Sequence, residues 1–210
     1  MDTEAVDFIR WTSRPTEIQQ FTIMPDGCRD VILRQSTHGH VLRLTSLDHR
    51  PRTITLMPGD EITGYRLRPG LILDPVSLAL DDLPEAIRHA QSRDRDLSGA
   101  INALGNEGTS VQLVAQTLGV SLRTLQRHLA RRGLPPPEFW RLLGRARRAA
   151  IALKTNLPLT DIAGDFGYSD QAHMTRALRH WFGRSPLALR RDEALLNSID
   201  QPALGTWRAA

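Results

Sequence analysis

Cysteine is nearly absent from this 210-residue chain, where Cys28 stands alone. One thiol excludes an intramolecular disulfide and any zinc site built from several cysteines. No apolar run approaches the roughly 18 residues needed to span a membrane. The leading Met1-Asp2-Thr3-Glu4 is acidic and no apolar stretch follows it, unlike a secretory signal. Gly-x-Ser-x-Gly, P-loop and His-Glu-x-x-His motifs are all missing, and the acidic residues are scattered rather than paired on one element. The expectation is a cytoplasmic protein that is not an enzyme and needs no cofactor.

Lysine is as scarce as cysteine. Lys154 is the only one among 27 basic residues, and the rest are arginines. A planar guanidinium suits phosphates and guanine edges, although a GC-rich genome produces the same bias. The formal charge of +4 is unevenly spread. Residues 97–191 carry 14 Lys and Arg against 5 Asp and Glu, and the remainder carries 13 against 18. A basic block beside an acidic one predicts two domains, the basic one facing a polyanion.

The first 75 or so residues read as short strands with Gly/Pro punctuation. Phe21 to Met24 runs into Pro25-Asp26-Gly27, followed by Val31 to Leu33, His40 to Leu47, Thr53 to Met57 and Ile62 to Leu67. This predicts a small antiparallel β module over 1–80, too small to be stable without a neighbour. A connector is expected over 81–96, with Asp81-Asp82-Leu83-Pro84 starting a helix. From Leu97 the spacing of Leu97, Ile101 and Leu104 turns helical until Gly105 and Gly108. Residues 192–210 read as a frayed helix and tail.

The most informative feature is an internal repeat. Val114-Ala115, Leu118 and Gly119-Val120-Ser121 match Ile162-Ala163, Phe166 and Gly167-Tyr168-Ser169. After one inserted residue, Leu125, Arg127 and Leu129 match Met174, Arg176 and Leu178. In each copy a small alanine permits close helix approach, and a glycine ends the first helix in the left-handed conformation. Val120 or Tyr168 plugs the corner, and Ser121 or Ser169-Asp170 caps the next helix. This is the plan of a helix-turn-helix. With Leu125 and Leu129 inward, Arg123, Arg127 and Arg131 form an outward stripe. With Met174, Leu178 and Trp181 inward, Ala172, His173, Arg176 and His180 face out, and Gln171 sits at the helix start. Arginine can pair bidentately with guanine and glutamine with adenine. Pro135-Pro136-Pro137 leads into a helix from about Phe139 to Lys154, about 24 Å long. That length suits two recognition helices in groove segments about 34 Å apart. Arg141, Arg145 and Arg148 line part of it, as phosphate contacts or as a solvated face.

Residues 97–191 resemble the C-terminal domain of the AraC/XylS family of transcription regulators. The likeness rests on Leu125-Gln126-Arg127, Gly133-x-x-Pro136, Arg145-x-x-x-Ala149, Ile162-Ala163-x-x-x-Gly167-Tyr168-Ser169-Asp170-Gln171, Arg176, Phe182-Gly183-Arg184-Ser185-Pro186 and Arg190. It implies an all-α domain of seven helices whose two units read adjacent grooves. The whole chain is then α+β, with an abbreviated, cupin-like β module in front. The resemblance implies base reading by Arg123, Thr124, Gln126 and Arg127, then Gln171, Ala172, His173, Thr175 and Arg176. Backbone contacts are expected from Ser121, Arg131, Arg141, Arg145, Ser169, Arg179 and His180. It implies double-stranded DNA as the partner and RNA polymerase as a second one. A small-molecule effector, and monomer against homodimer, stay open.

Three departures weaken the second unit: Gly164 lies inside its first helix, Ala172 has no polar group, and Leu178 replaces an aromatic residue. Less base discrimination is expected there than in the first unit. Two other readings compete. One is a damage or redox-response protein with chemistry at Cys28, its thiolate helped by Arg29. The other is a protein-interaction adaptor, against which the outward arginines argue. His38-Gly39-His40 could begin a metal site, but no convincing third ligand follows; a polar loop is the simpler account.

Overall fold

The computed structural model describes residues 8–36, 39–73, 82–91 and 95–207. Six strands come first: β1 (Phe8–Ser13), β2 (Gln19–Ile23), β3 (Asp30–Ser36), β4 (Gly39–Leu44), β5 (Arg52–Leu56) and β6 (Glu61–Leu67). All pairings are antiparallel. A four-stranded sheet has the order β1-β6-β3-β4, and β2 with β5 makes a separate ribbon. Strand β1 was not expected. Its alternation of half-buried Ile9 and Trp11 with exposed Arg10 and Thr12 is the period-2 signal of a strand, here an edge strand beside β6.

One face of the sheet buries Val31, Tyr65 and Leu67, and this core is completed by Leu71, Leu73 and two residues of α1 (Leu83–Gln91), Leu83 and Ile87. The expected helix start holds, since Asp82 accepts the Glu85 N–H at 3.1 Å.

The helices that follow are α2 (Arg95–Gly105), α3 (Val111–Thr117), α4 (Leu122–Arg131), α5 (Pro137–Ala152), α6 (Leu159–Asp165), α7 (Gln171–Phe182), α8 (Pro186–Arg190) and α9 (Glu193–Ile199). Helices α2 to α8 are the seven expected between the connector and residue 191, so the chain is α+β. Helix α5 is the spine. Trp140, Leu143, Ala146, Ala149, Ala150 and Leu153 run along its buried side, against Leu125 and Leu129 of α4 and Ile162, Met174 and Leu178 of the later helices. Each fully buried large side chain stabilises the fold by about 1.5–3 kcal/mol.

The same core takes in Met24 from the β module and Ile199 and Leu204 from the C-terminal segment. The β module therefore leans on its neighbour, as its size requires. Ser98 and Asn102 of α2 donate to the Pro69 carbonyl at 3.1 and 3.2 Å, and His49 packs on Phe139 with ring centroids 4.8 Å apart. Residues 193–207 are not a frayed tail. Asp192 caps α9 through the Leu195 N–H, and Leu196, Ile199, Ala203 and Leu204 are buried. Among the described residues no helix is long and apolar enough to cross a membrane.

Candidate nucleic-acid interface

Two helix pairs, α3–α4 and α6–α7, present the outward faces. Each turn is built the same way. Gly119 has φ +65° and Gly167 φ +70°, a region that a Cβ makes costly. In the first turn the Gly119 N–H donates to the Gln116 carbonyl and the Val120 N–H to that of Ala115, at 2.9 and 3.0 Å. In the second, Gly167 and Tyr168 donate to Gly164 and Ala163 at 3.0 and 2.9 Å. These paired bonds close the first helix of each unit as a Schellman motif. The second helix then starts on a capping side chain. Ser121 accepts the Thr124 N–H at 3.1 Å, and Asp170, rather than Ser169, accepts the His173 N–H at 2.6 Å. That bond holds the exposed Asp170 carboxyl below the ordinary carboxylate range.

Helix α4 turns Leu125 and Leu129 inward and leaves Arg123, Gln126, Arg127 and Arg131 exposed. Thr124 is half-buried, with its hydroxyl 2.9 Å from that of Ser121. Helix α7 buries Met174, Leu178, Trp181 and Phe182 and exposes Gln171, Ala172, Arg176, Arg179 and His180. Gln171, Ala172, Thr175, Arg176 and Arg179 line one shallow groove.

Two of the expected base-reading residues of α7 have internal partners. The Thr175 hydroxyl donates to the Gln171 carbonyl at 2.8 Å, within its own helix. The half-buried His173 ring packs edge-on to Tyr168, and its Nδ1 lies 3.2 Å from the Ser169 hydroxyl.

Between the two units runs a crevice of about 700 Å³, lined by Gln126 from α4, by Arg141, Arg145 and Arg148 of α5, and by residues 164–167. Arg141 is paired with Glu138 through a 3.0 Å Nε bond, which raises the guanidinium pKa and lowers that of the carboxyl. Arg145 lies over the Tyr168 ring, 4.3 Å from its centroid, and donates to the Gly167 carbonyl at 3.1 Å. Arg148 donates to the Gly105 carbonyl. The Tyr168 hydroxyl is buried beneath these arginines; burial pushes its pKa up while Arg145 opposes.

The geometry of residues 111–182 is thus a doubled helix-turn-helix on one spine. Residues 114–192 match the family described as "Helix-turn-helix domain". Among curated proteins, the HTH-type transcriptional regulator VirS of Mycobacterium tuberculosis is 37% identical over 81 residues, 39% of this chain and 24% of that protein. The HTH-type transcriptional activator RhaS of Enterobacter sp. is 30% identical over 123 residues, 57% of this chain and 44% of that protein. Residues 114–192 form a helix-turn-helix domain. The chain spans less than half the length of either relative. A solved transcriptional regulator of Chromobacterium violaceum, titled AraC-type, is 26% identical, with 51% of this chain and 96% of that chain covered at a TM-score of 0.42.

Outside the helix-turn-helix domain, neither Cys28 nor the His38–His40 pair forms a reactive or metal site among the described residues. Cys28 is buried, and burial pushes its thiol well above the ordinary range, with Asp26 adding to the effect. The thiolate that a reactive cysteine needs is disfavoured, and Arg29 does not reverse this. His38 lies outside the described residues, His40 is exposed on β4, and no cluster of three metal-ligating side chains occurs among the described residues.

Proposed function

We propose that the protein is a sequence-specific, double-stranded DNA-binding transcription regulator. It places α4 and α7 in adjacent major-groove segments. The observation that carries this reading is the pairing of two identically built turns with two outward faces that bear Arg123, Gln126 and Arg127 on α4, and Gln171 and Arg176 on α7. No large apolar side chain is exposed on either helix among the described residues, as an adaptor surface would require.

Base edges are read by those five side chains. Thr124, Ala172, His173 and Thr175 shape the surface around them, since three are engaged internally and alanine has no polar group. Phosphates are met by Ser121, Arg131, Arg141, Arg145, Ser169, Arg179 and His180 at the rims and in the crevice. The first unit supplies more of the discrimination than the second. Such a protein acts in the cytoplasm where the chromosome lies, with RNA polymerase as the partner that reads out its binding. The burial of Cys28 argues against chemistry at that residue.

Anisotropy of a labelled duplex over a salt series tests the reading. Binding should weaken steeply, with a log–log slope of about −0.9 for each phosphate neutralised. Absent or salt-insensitive binding would contradict it.

A further inference from the structure

One arginine of α5 avoids the crevice altogether. Arg147 is fully buried on a different face of the helix from Arg141, Arg145 and Arg148. Its Nε donates to the Leu204 carbonyl at 3.2 Å, and its Nη2 to the Gln201 carbonyl at 2.9 Å and toward the Thr206 hydroxyl at 3.4 Å. All three acceptors belong to the segment after α9. That segment also reaches the β module, because the Leu204 N–H donates to the Asp26 carbonyl at 3.0 Å.

The Leu204 side chain has no exposed surface. It lies where a Cβ on Gly27 would come within 2.9 Å and one on Gly105 within 2.7 Å. Gly105 in turn sits against α5, where a Cβ on Gly144 would come within 2.6 Å of its Cα. Leu204, α2 and α5 thus form one closely packed column. Across the junction Asp26 ties Arg66 at 2.9 Å and accepts the Cys28 N–H at 2.8 Å. The Asp26 carboxylate also gives the largest electrostatic support to the buried Arg147 charge.

We propose that residues 200–207 and Arg147 form a strap that fastens the β module to the spine helix, making Arg147 a positioning residue for two-unit DNA recognition. The second half rests on the regulator reading above. The physical logic is mutual dependence. Without the strap the guanidinium is a buried charge stripped of its hydrogen bonds, and without Arg147 the Leu204 carbonyl loses its donor and the Gln201 carbonyl keeps only the Thr206 hydroxyl at 3.4 Å. Because α5 carries one helix-turn-helix at each end, the strap holds the unit-to-unit geometry at its middle. A change in the β module at Asp26 then has a direct route to the DNA-binding surface.

The test uses the full chain and a chain stopped after Asp200, with two readouts. The first needs no DNA: the rate at which Cys28, buried two residues from Asp26, reacts with a colorimetric disulfide reagent under native conditions. The second compares affinity for a selected full-length site with affinity for a duplex holding only the block read by α4. Shortening should raise the Cys28 rate by about tenfold or more. It should lower full-site affinity by about tenfold and change half-site affinity by no more than about twofold. Arg147→Met should reproduce both effects. Arg147→Lys, a point charge without the fork, should fall between. If the shortened chain loses its helical circular dichroism, Leu204→Ala replaces it.

Continued protection of Cys28, or parallel loss of affinity for both duplexes, would overturn the strap. If the intact chain selects no duplex, the regulator reading fails and so does the positioning role of Arg147. The strap as a domain fastener is then decided by Cys28 alone.

Discussion

Arg145 lies over the Tyr168 ring, 4.3 Å from its centroid, while its guanidinium also donates to the carbonyl of Gly167. A residue of the spine helix thereby clamps the turn of the second helix-turn-helix. The stacking contributes about 0.5–2 kcal/mol, depending on desolvation, and the hydrogen bond adds about 1 kcal/mol. Arg145→Ala should therefore lower unfolding free energy by about 1–3 kcal/mol in denaturant titrations. Its loss of DNA affinity should fall mainly on base pairs contacted by α7. Arg145→Lys should not restore the wild-type value, because an ammonium lacks the planar face that stacks on tyrosine.

The outward faces of α4 and α7 are unequally equipped. In α4, Arg123, Gln126 and Arg127 are exposed, whereas α7 spends its Thr175 hydroxyl and its His173 ring on neighbours. Arg127→Ala should cost more operator affinity than Arg176→Ala, each bidentate contact being worth about 1–3 kcal/mol. Titration of both variants against one operator checks this, and a larger loss for Arg176 would refute the ranking.

Two glycines three residues apart should respond in opposite ways. Gly164 is helical, and a Cβ built there meets open space, so Gly164→Ala should stabilise the protein by up to about 1 kcal/mol. Gly167 has φ +70°, so Gly167→Ala should destabilise it by about 1–2 kcal/mol. Thermal unfolding of both variants reads the signs directly.

The cap of α7 is a charge-assisted bond from the His173 N–H to Asp170, which lowers the carboxyl pKa in the folded state. A depressed folded value means that this stabilisation is complete above the ordinary carboxylate range. It is lost as pH falls through the lowered value. Asp170→Asn keeps a capping oxygen but cannot titrate, so it should flatten this acid-side loss. The His173 amide resonance, followed through an acid titration, reports the cap itself.

Much of the helix-turn-helix half was legible in the sequence because its signals are local. The glycines at 119 and 167, the alanines at 115 and 163, and the inward Leu125–Leu129 and Met174–Leu178 pairs each carry their meaning within a few residues. The register of α5 was displaced by only two residues. Arg147 was not legible. It stands in a run with Arg145 and Arg148, and what separates it from them is a set of acceptors 54–59 residues away. The C-terminal segment was misread for a related reason. Its Leu196, Ile199 and Leu204 look like a short frayed helix until the column of Gly27, Gly105 and Gly144 gives Leu204 a place to pack. Strand β1 carried its own signal in Ile9 and Trp11, but its partner β6 begins 48 residues after β1 ends. At the candidate interface, side-chain identity predicted most of the residues on the outer faces, except that His173, expected to face out, is half-buried against Tyr168. Which of them would be engaged by Ser121, Ser169 or a helix carbonyl was visible only in three dimensions.

The central claim is that one chain reads two adjacent groove segments. Selecting bound duplexes from a random-sequence library with the full-length protein tests it most directly. The account predicts a site of two short conserved blocks about one helical turn apart, the block assigned to α4 carrying more information than that assigned to α7. A consensus shorter than about five base pairs, or none at all, would contradict two-segment recognition.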